Sequence, residues 1–396
     1  MPSEIVRSLQ KNFKIGQKKI IMKISDKVVL WIAKSYVKKN SGNLKSSINS
    51  LPERLERILV LSTTAVGDTL LSTPVFSLLR KQCPSALIKV MIRDKYCAFF
   101  KNNPDVDEII PFYKGWFGFY KTLQRVKESN FDIAFIAHIS DAKPVVISAL
   151  AGIPYIIGEY PQKEFQFLLS LRVPPNPKEH VIENRMGAVK AVMPNLHNLT
   201  CRMVLPTHKA QTIKIWDNFY KKQNVRSDAV FIGFQPGAST YYRMWPKENF
   251  INLGKKLLAK NDRFVILIFG SPDEAALCKS IENGIGQRDR AFFYASSLTE
   301  LPHILKGIDC LVTNDTGPMH IAIAVGTQTV SLFVPSESKR IGPFQDLEKH
   351  RVIAREKPCK DECIGKKCKK KPVCMDLITV DEVFDAAMDL SSGKLK

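Results

Sequence analysis

Asp68 lies in the stretch VLSTTAVGDTLLSTPVFSLLRKQCP (60–84), after an apolar run, a short polar loop and Gly67. A run with helical spacing begins directly behind it. An aspartate in this place has two uses. It can close the first turn of a helix, where free backbone N–H groups and the positive end of the dipole favour it. It can also act as a general base, because the same terminus stabilises the ionised carboxylate. The carboxyl end of a parallel strand is also where open α/β sheets place their ligands. Thr64 and Gly67 share the loop.

Anion chemistry is written into three further loops. In LVTNDTGPMHIAIAVG (311–326), a strand gives way to a helix around Asp315, Thr316 and Gly317. Backbone N–H groups left free there suit an anion, and Gly317 permits close approach of a phosphate. His320, within the first turn, either points to the same place or is a satisfied core histidine. In FQPGASTYYRMWPKENF (234–250), Gly237, Ala238 and Ser239 bring backbone and hydroxyl donors, and Arg243 brings charge. The plainer reading is a loop that opens a helix at Pro246. In FGSPDE (269–274), Glu274 either meets ribose hydroxyls or is an exposed helix-start residue.

The chain has no G-x-G-x-x-G and no G-x-x-x-x-G-K-[ST], which argues against a dehydrogenase and a P-loop NTPase. Cys359, Cys363, Cys368 and Cys374 are spaced C-x3-C-x4-C-x5-C. Four thiols so close suit either a structural zinc or reduced structural thiols, and the spacing lacks two C-x2-C knuckles. Cys83, Cys97, Cys201, Cys278 and Cys310 are scattered and read as core residues.

These loops need strands and helices to hold them. RILVLS (57–62), LIKVMI (87–92), DEIIPF (107–112) and FDIAFIA (131–137) read as strands, with helices over 68–82 and near 116–128. The pattern blurs across the Pro-rich 160–228 and then restarts. AVFIGFQPG (229–237), FVILIFG (264–270), DCLVTN (309–314) and TVSLFV (329–334) are strands. Helices are expected over 248–259, near 298–306 behind a Ser297/Glu300 capping box, and over 317–325, where Gly326 provides the stop. Continuous apolar strands alternating with helices indicate parallel sheets covered on both faces. Two such series make an α/β chain of two Rossmann-like domains facing a cleft. The expected divisions are an extension and linker over 1–56, a first domain over 57–228 and a second over 229–396.

At 396 residues two domains are also what length predicts, and a formal charge of +21 favours anionic partners. Residues 1–60 hold thirteen Lys or Arg against four Asp or Glu, and KKCKKK (366–371) adds a second basic run. Neither belongs to a recognisable nucleic-acid-binding pattern, so no nucleic-acid partner is expected. Ile20, Ile24, Val28, Trp31 and Ile32 recur at three or four amid Lys18, Lys19, Lys23, Lys27, Lys34 and Lys38. That is the pattern of a basic helix on a membrane surface, or of one packed on the protein's own body. The run VVLWIA (28–33) is too short for a membrane span or a signal core, so a cytoplasmic, peripheral protein is expected.

Four stretches together resemble glycosyltransferase family 9, the ADP-heptose:lipopolysaccharide heptosyltransferases: LSTTAVGDTLLSTPVFSLLRKQCPSA, GFQPGASTYYRMWPKENF, NDTGPMHIAIAVGTQTVSLFVPSESKRIGPF and CMDLITVDEVFDAA. The likeness spans roughly 57–388. It implies the GT-B architecture, with the acceptor mainly on the first domain and the nucleotide sugar mainly on the second. Asp68 then corresponds to the catalytic base of the acceptor loop. Asp315, Thr316, Gly317 and His320 correspond to the donor segment, Ser239 and Arg243 to the phosphate contacts, and Glu274 to the ribose contact. Arg243 stands where the family pattern has Lys, and Gln235 where His or Cys is usual. The implied activity is inverting transfer of heptose from ADP-heptose to an anionic glycolipid at the inner membrane, with no metal required for catalysis. The alternatives are another nucleotide sugar, or a non-catalytic glycan- or lipid-binding scaffold of the same fold.

Overall fold

The computed structural model describes residues 24–40, 42, 44–160, 162–193, 196, 201–334, 337–356 and 374–395. Residues 1–23, with Lys18, Lys19, Ile20 and Lys23, lie outside them, as do the basic run 366–371 and Cys359, Cys363 and Cys368. Cys374 is described and half-buried.

Twelve strands form two six-stranded sheets, every pairing parallel. The first holds β1 (Arg57–Ser62), β2 (Leu87–Arg93), β3 (Glu108–Phe112), β4 (Ile133–His138), β5 (Tyr155–Gly158) and β6 (Leu171–Arg172), in the order β3-β2-β1-β4-β5-β6. The second holds β7 (Val230–Gln235), β8 (Phe264–Gly270), β9 (Ala291–Ala295), β10 (Cys310–Asn314), β11 (Gln328–Phe333) and β12 (His350–Ala354), in the order β12-β11-β10-β7-β8-β9. Every residue of β7 and β8 is buried, as expected of central strands covered on both faces. Each sheet reverses its strand order once, at β1/β4 and at β10/β7. Open α/β sheets bind ligands outside such points.

The helix expected over 68–82 is two helices, Val66–Leu70 and Thr73–Gln82. Pro74 cannot continue a helix because it lacks an N–H, and Ser72 turns its hydroxyl back onto the Asp68 carbonyl at 3.1 Å. The Ser297/Glu300 pair is formed, with the Glu300 N–H donating to Ser297 Oγ at 3.2 Å, and its helix starts at Leu301. Gly326 closes the helix Gly317–Val325 at φ +83°. The blurred region 160–228 contains β6 and two helices, Val181–Val192 and Lys209–Gln223. The second of these packs on the other sheet, Trp216 and Phe219 lying edge-on to Phe231.

The helix Ile24–Lys39 packs on the body through Val29 and Ala33, both buried against the first sheet's helical layer. The buried stripe therefore differs from the expected Ile24–Val28–Trp31–Ile32 line. Val28 and Trp31 are exposed.

Trp245 shows how packing fixes a functional loop. Only 1% exposed, it donates its indole N–H to the Ile378 carbonyl at 2.9 Å and its backbone N–H to Asn314 Oδ1 at 3.0 Å. Asn314 also donates from Nδ2 to the Pro236 carbonyl at 2.8 Å. Truncating a tryptophan buried this fully costs about 3–5 kcal/mol, so the loop behind β7 is tied to the end of β10.

Candidate active site

The loops that follow β1, β7, β8, β9 and β10 all open into one cleft of about 880 Å³ between the sheets. Asp68 and Gly67 lie on one wall. Gly237, Ala238, Ser239, Arg243, Glu274, Asp315, Thr316, Gly317 and His320 lie on the other.

Asp68 sits in the first turn of the helix Val66–Leu70, whose N-cap residue is Ala65, and it makes no capping hydrogen bond. Its carboxylate points elsewhere. The guanidinium of Arg185, with a side chain only 6% exposed, donates from Nη2 to Asp68 Oδ1 at 3.0 Å. From Nη1 it donates to the Asp68 carbonyl and to Ser72 Oγ, the latter at 3.1 Å. One rigid fork thus reads the side chain and the backbone of the same residue, which fixes both. Burial lowers the Arg185 pKa from its ordinary value, and the facing Asp68 opposes that.

Two histidines complete this neighbourhood. His138, the last residue of β4, places Nε2 3.6 Å from Asp68 Oδ1. Burial, then the Arg185 charge, push its pKa down to about 4 against the pull of Asp68. His320 crosses from the second domain and is 6% exposed; burial first, then Arg185 and His180, outweigh Asp68 and bring it to about 4. Both rings are neutral at pH 7, so Arg185 is the cation beside Asp68.

The domains meet at two glycines. A Cβ on Gly67 would come within 3.0 Å of His320 Cδ2 and 3.1 Å of Gly317 Cα. A Cβ on Gly317 would come within 3.3 Å of Val66 Cγ1. Gly317 thus serves the approach of one helix start to the other, a role that the sequence reading assigned only to a phosphate. His180 adds a strap between the domains, its Nε2 3.1 Å from the Gly342 carbonyl and its ring stacked on Phe344 at 4.2 Å.

On the second wall the helix Gly317–Val325 begins with no side-chain cap, because Thr316 turns its hydroxyl back to the Asn314 carbonyl at 3.3 Å. Arg243 Nη1 donates to Asp315 Oδ2 at 3.2 Å, so Asp315 orients this guanidinium. Arg243 Nε and His320 Nδ1 are buried with no hydrogen-bond partner among the described residues. Such groups are costly to bury unmatched. Glu274 folds back on its own turn, Oε2 accepting from the Ser271 N–H at 2.8 Å and from its hydroxyl at 3.1 Å. Gly237 lies so close to this carboxylate that any Cβ there would overlap it.

Sequence reasoning missed Arg185, His138 and Asn314. Arg185 lies 117 residues from its partner in a segment without periodicity, and no local signal marks it. His138 ends a strand recognised one residue short. Asn314 was visible within NDTGPMH, but its bonds to the β7 loop were not.

The model of glycosyltransferase family 9 (heptosyltransferase) matches residues 119–373, which include Arg185 and the whole second wall. Lipopolysaccharide heptosyltransferase 2 of Escherichia coli K12 is 25% identical over 312 residues, covering 75% of this chain and 87% of that protein. A family 9 glycosyl transferase structure from Veillonella parvula superposes with a TM-score of 0.76 at 20% identity, covering 87% of this chain and all of that one. The E. coli ADP-heptose LPS heptosyltransferase II structure does so at 0.70 and 22%, covering 86% of this chain and all of that one. The α/β pairing of two parallel sheets is the GT-B fold of these structures, and the chain belongs to glycosyltransferase family 9, the heptosyltransferases.

Proposed function

We propose that this chain transfers heptose from ADP-heptose to a lipopolysaccharide core or related anionic glycolipid, with inversion at the anomeric carbon and without a catalytic metal. The supporting observation is the cleft itself: a carboxylate held by a buried arginine faces a wall of anion-binding groups across the meeting of two helix starts. Asp68 takes the proton of an acceptor hydroxyl, whose oxygen attacks the anomeric carbon from the face opposite the leaving group. The bond from that carbon to the diphosphate oxygen breaks, and its electron pair leaves with ADP. Arg243 and the start of the helix Gly317–Val325 meet the charge that grows on the diphosphate. Ala238 and Ser239 border the same phosphates, and Glu274 the ribose. Thr64 and Gly67 shape the acceptor side. A zinc at Cys359, Cys363, Cys368 and Cys374 would be structural, since no step uses a thiolate.

The names of the relatives give the donor and acceptor classes on which this proposal draws: ADP-heptose and lipopolysaccharide. The basic chain suits a phosphorylated acceptor at the inner face of the bacterial inner membrane. Among the described residues no helix is long and apolar enough to cross a membrane. Purified protein given ADP-heptose and a truncated lipopolysaccharide core should release ADP, and the product should carry the inverted anomeric configuration. Release only from another nucleotide sugar would move the assignment to that sugar. Binding without any turnover would leave a scaffold.

A further inference from the structure

One face of the first sheet is covered by three helices: Ile24–Lys39, Gly115–Lys127 and Lys143–Leu150, with the first two both packed on the third. The outer sides of the first two are unlike ordinary protein surface. Trp31 is 69% exposed and Val28 41%. On the helix Gly115–Lys127 Trp116 is 49%, Phe117 81% and Tyr120 59% exposed. Large aromatics left in water at this density mark an interaction site.

The charged residues on these two helices are mostly basic. Lys27, Lys34, Lys38 and Lys39 are exposed on the first helix against a single acid, Asp26. Lys121, Arg125 and Lys127 are exposed on the second, which has no acid. Tryptophan, tyrosine and phenylalanine within a ring of cations match the boundary between headgroups and acyl chains of an anionic bilayer.

Position along the sheet adds a second argument. The helix Gly115–Lys127 starts three residues beyond the carboxyl end of β3, so Trp116 and Phe117 stand at the carboxyl edge. At the start of the other helix, Asp26 lies near Tyr160, just beyond β5, and it joins burial and Asp141 in pushing that phenol up. Beyond its far end, Lys45 donates its N–H to the Pro154 carbonyl at 2.9 Å, at the opposite edge. Trp116 and Phe117 therefore lie at the edge that carries Asp68, and Trp31 stands midway along its helix.

We propose that this aromatic and lysine-rich face docks on an anionic lipid bilayer, with Trp31, Trp116, Phe117 and Tyr120 entering the headgroup boundary. Docked so, the carboxyl edge of the first sheet lies close to the lipid, and a lipid-anchored acceptor reaches the Asp68 loop without leaving the bilayer. The benefit to catalysis rests on the proposed acceptor class; the docking itself does not, and it is measured without acceptor or donor.

Two of the four tryptophans, Trp216 and Trp245, are buried, which leaves Trp31 and Trp116 as exposed reporters in the unaltered chain. Vesicles of phosphatidylglycerol and phosphatidylethanolamine should pull down the full chain, and neutral phosphatidylcholine vesicles should not. Brominated acyl chains in the anionic vesicles should quench its fluorescence. The variant Trp116→Ser/Phe117→Ser should bind about tenfold more weakly while retaining transfer to a soluble acceptor. Absence of vesicle binding, absence of quenching, or unchanged binding by the variant each overturns the proposal. A dimer in solution that the variant abolishes, with no affinity for vesicles, would overturn it in favour of a second copy of this chain.

Discussion

The two walls of the cleft use charge in opposite ways. On the first, Asp68 is held by a buried arginine that also grips its carbonyl and Ser72, and two neutral histidines stand nearby. On the second, Arg243 keeps one hydrogen bond to Asp315 while its Nε has no partner among the described residues, and a helix starts without a side-chain cap. The first wall is organised to hold one side chain still. The second presents donors toward a group that the protein itself does not supply. In a transfer reaction the former suits a base, which must be oriented, and the latter a leaving diphosphate, which must be received.

Removing the Asp68 carboxylate, the proposed base, should give the largest effect. Asp68→Asn is expected to lower the rate of transfer by about two to four orders of magnitude, the usual scale for a general base, while ADP affinity by calorimetry stays unchanged. Near-normal transfer would show that Asp68 is not the base, and the contrast between the walls would lose its meaning.

Arg185→Lys comes next. A lysine keeps the charge but cannot donate to a carboxylate, a carbonyl and a hydroxyl from one rigid plane. Transfer should fall about 10- to 100-fold through misplacement of Asp68, with ADP affinity again intact. An equal loss of ADP affinity would mean that Arg185 belongs to the donor wall.

The second wall should respond in binding. Arg243→Ala and His320→Ala are each expected to weaken ADP by about 1–3 kcal/mol, the range for hydrogen bonds to a charged group. Gly317→Val should do at least as much harm, because its side chain would strike Val66 as well as any phosphate. If all three bind ADP as the unaltered chain does, the nucleotide lies elsewhere.

How much of this was legible beforehand depends on distance along the chain. Asp68, Gly317 and Arg243 stand where apolar runs stop and helices begin, and local pattern finds such places. Eight of the twelve strands were readable within a residue or two, because parallel strands buried on both faces are nearly pure Val, Ile, Leu and Phe. The internal strand Tyr155–Gly158 and the edge strand Leu171–Arg172 carry too few residues for a pattern, and the edge strands Ala291–Ala295 and His350–Ala354 were missed as well. Arg185 was invisible for another reason: its importance lies in a partner across the fold, and its own helix is flanked by Pro-rich chain. The glycines were found, but only the structure shows that Gly67 and Gly317 are small for each other's sake. In the helix Ile24–Lys39 the residues that pack on the body, Val29 and Ala33, stand beside the expected apolar line rather than on it, because its apolar residues serve two surfaces and periodicity assumes one.

The smallest expected effect concerns acid, and it separates the first wall from the rest of the fold. His138 and His320 near Asp68, and His350 far from it in β12, are all held near 4, in each case chiefly by burial. Below about pH 6.5 the unfolded chain takes up a proton at each of these positions and the folded chain does not. The unfolded state then binds more protons, so stability rises with pH across the window from about 4 to 6.5. It is fully present above that window and is lost as pH falls through it. His350 hydrogen-bonds Thr329 Oγ1 through Nδ1 at 2.9 Å and touches no catalytic group, which makes it the clean test. His350→Gln should flatten the fall of the melting temperature between pH 6.5 and 4.5 by about 1–3 °C, and it should leave the pH profile of transfer untouched. His138→Gln should flatten the melting curve too, but it should also shift the acid limb of transfer, because its ring borders Asp68, the proposed base. Identical pH profiles for the two variants would place His138 outside the chemistry and leave Arg185 as the charged partner that holds Asp68.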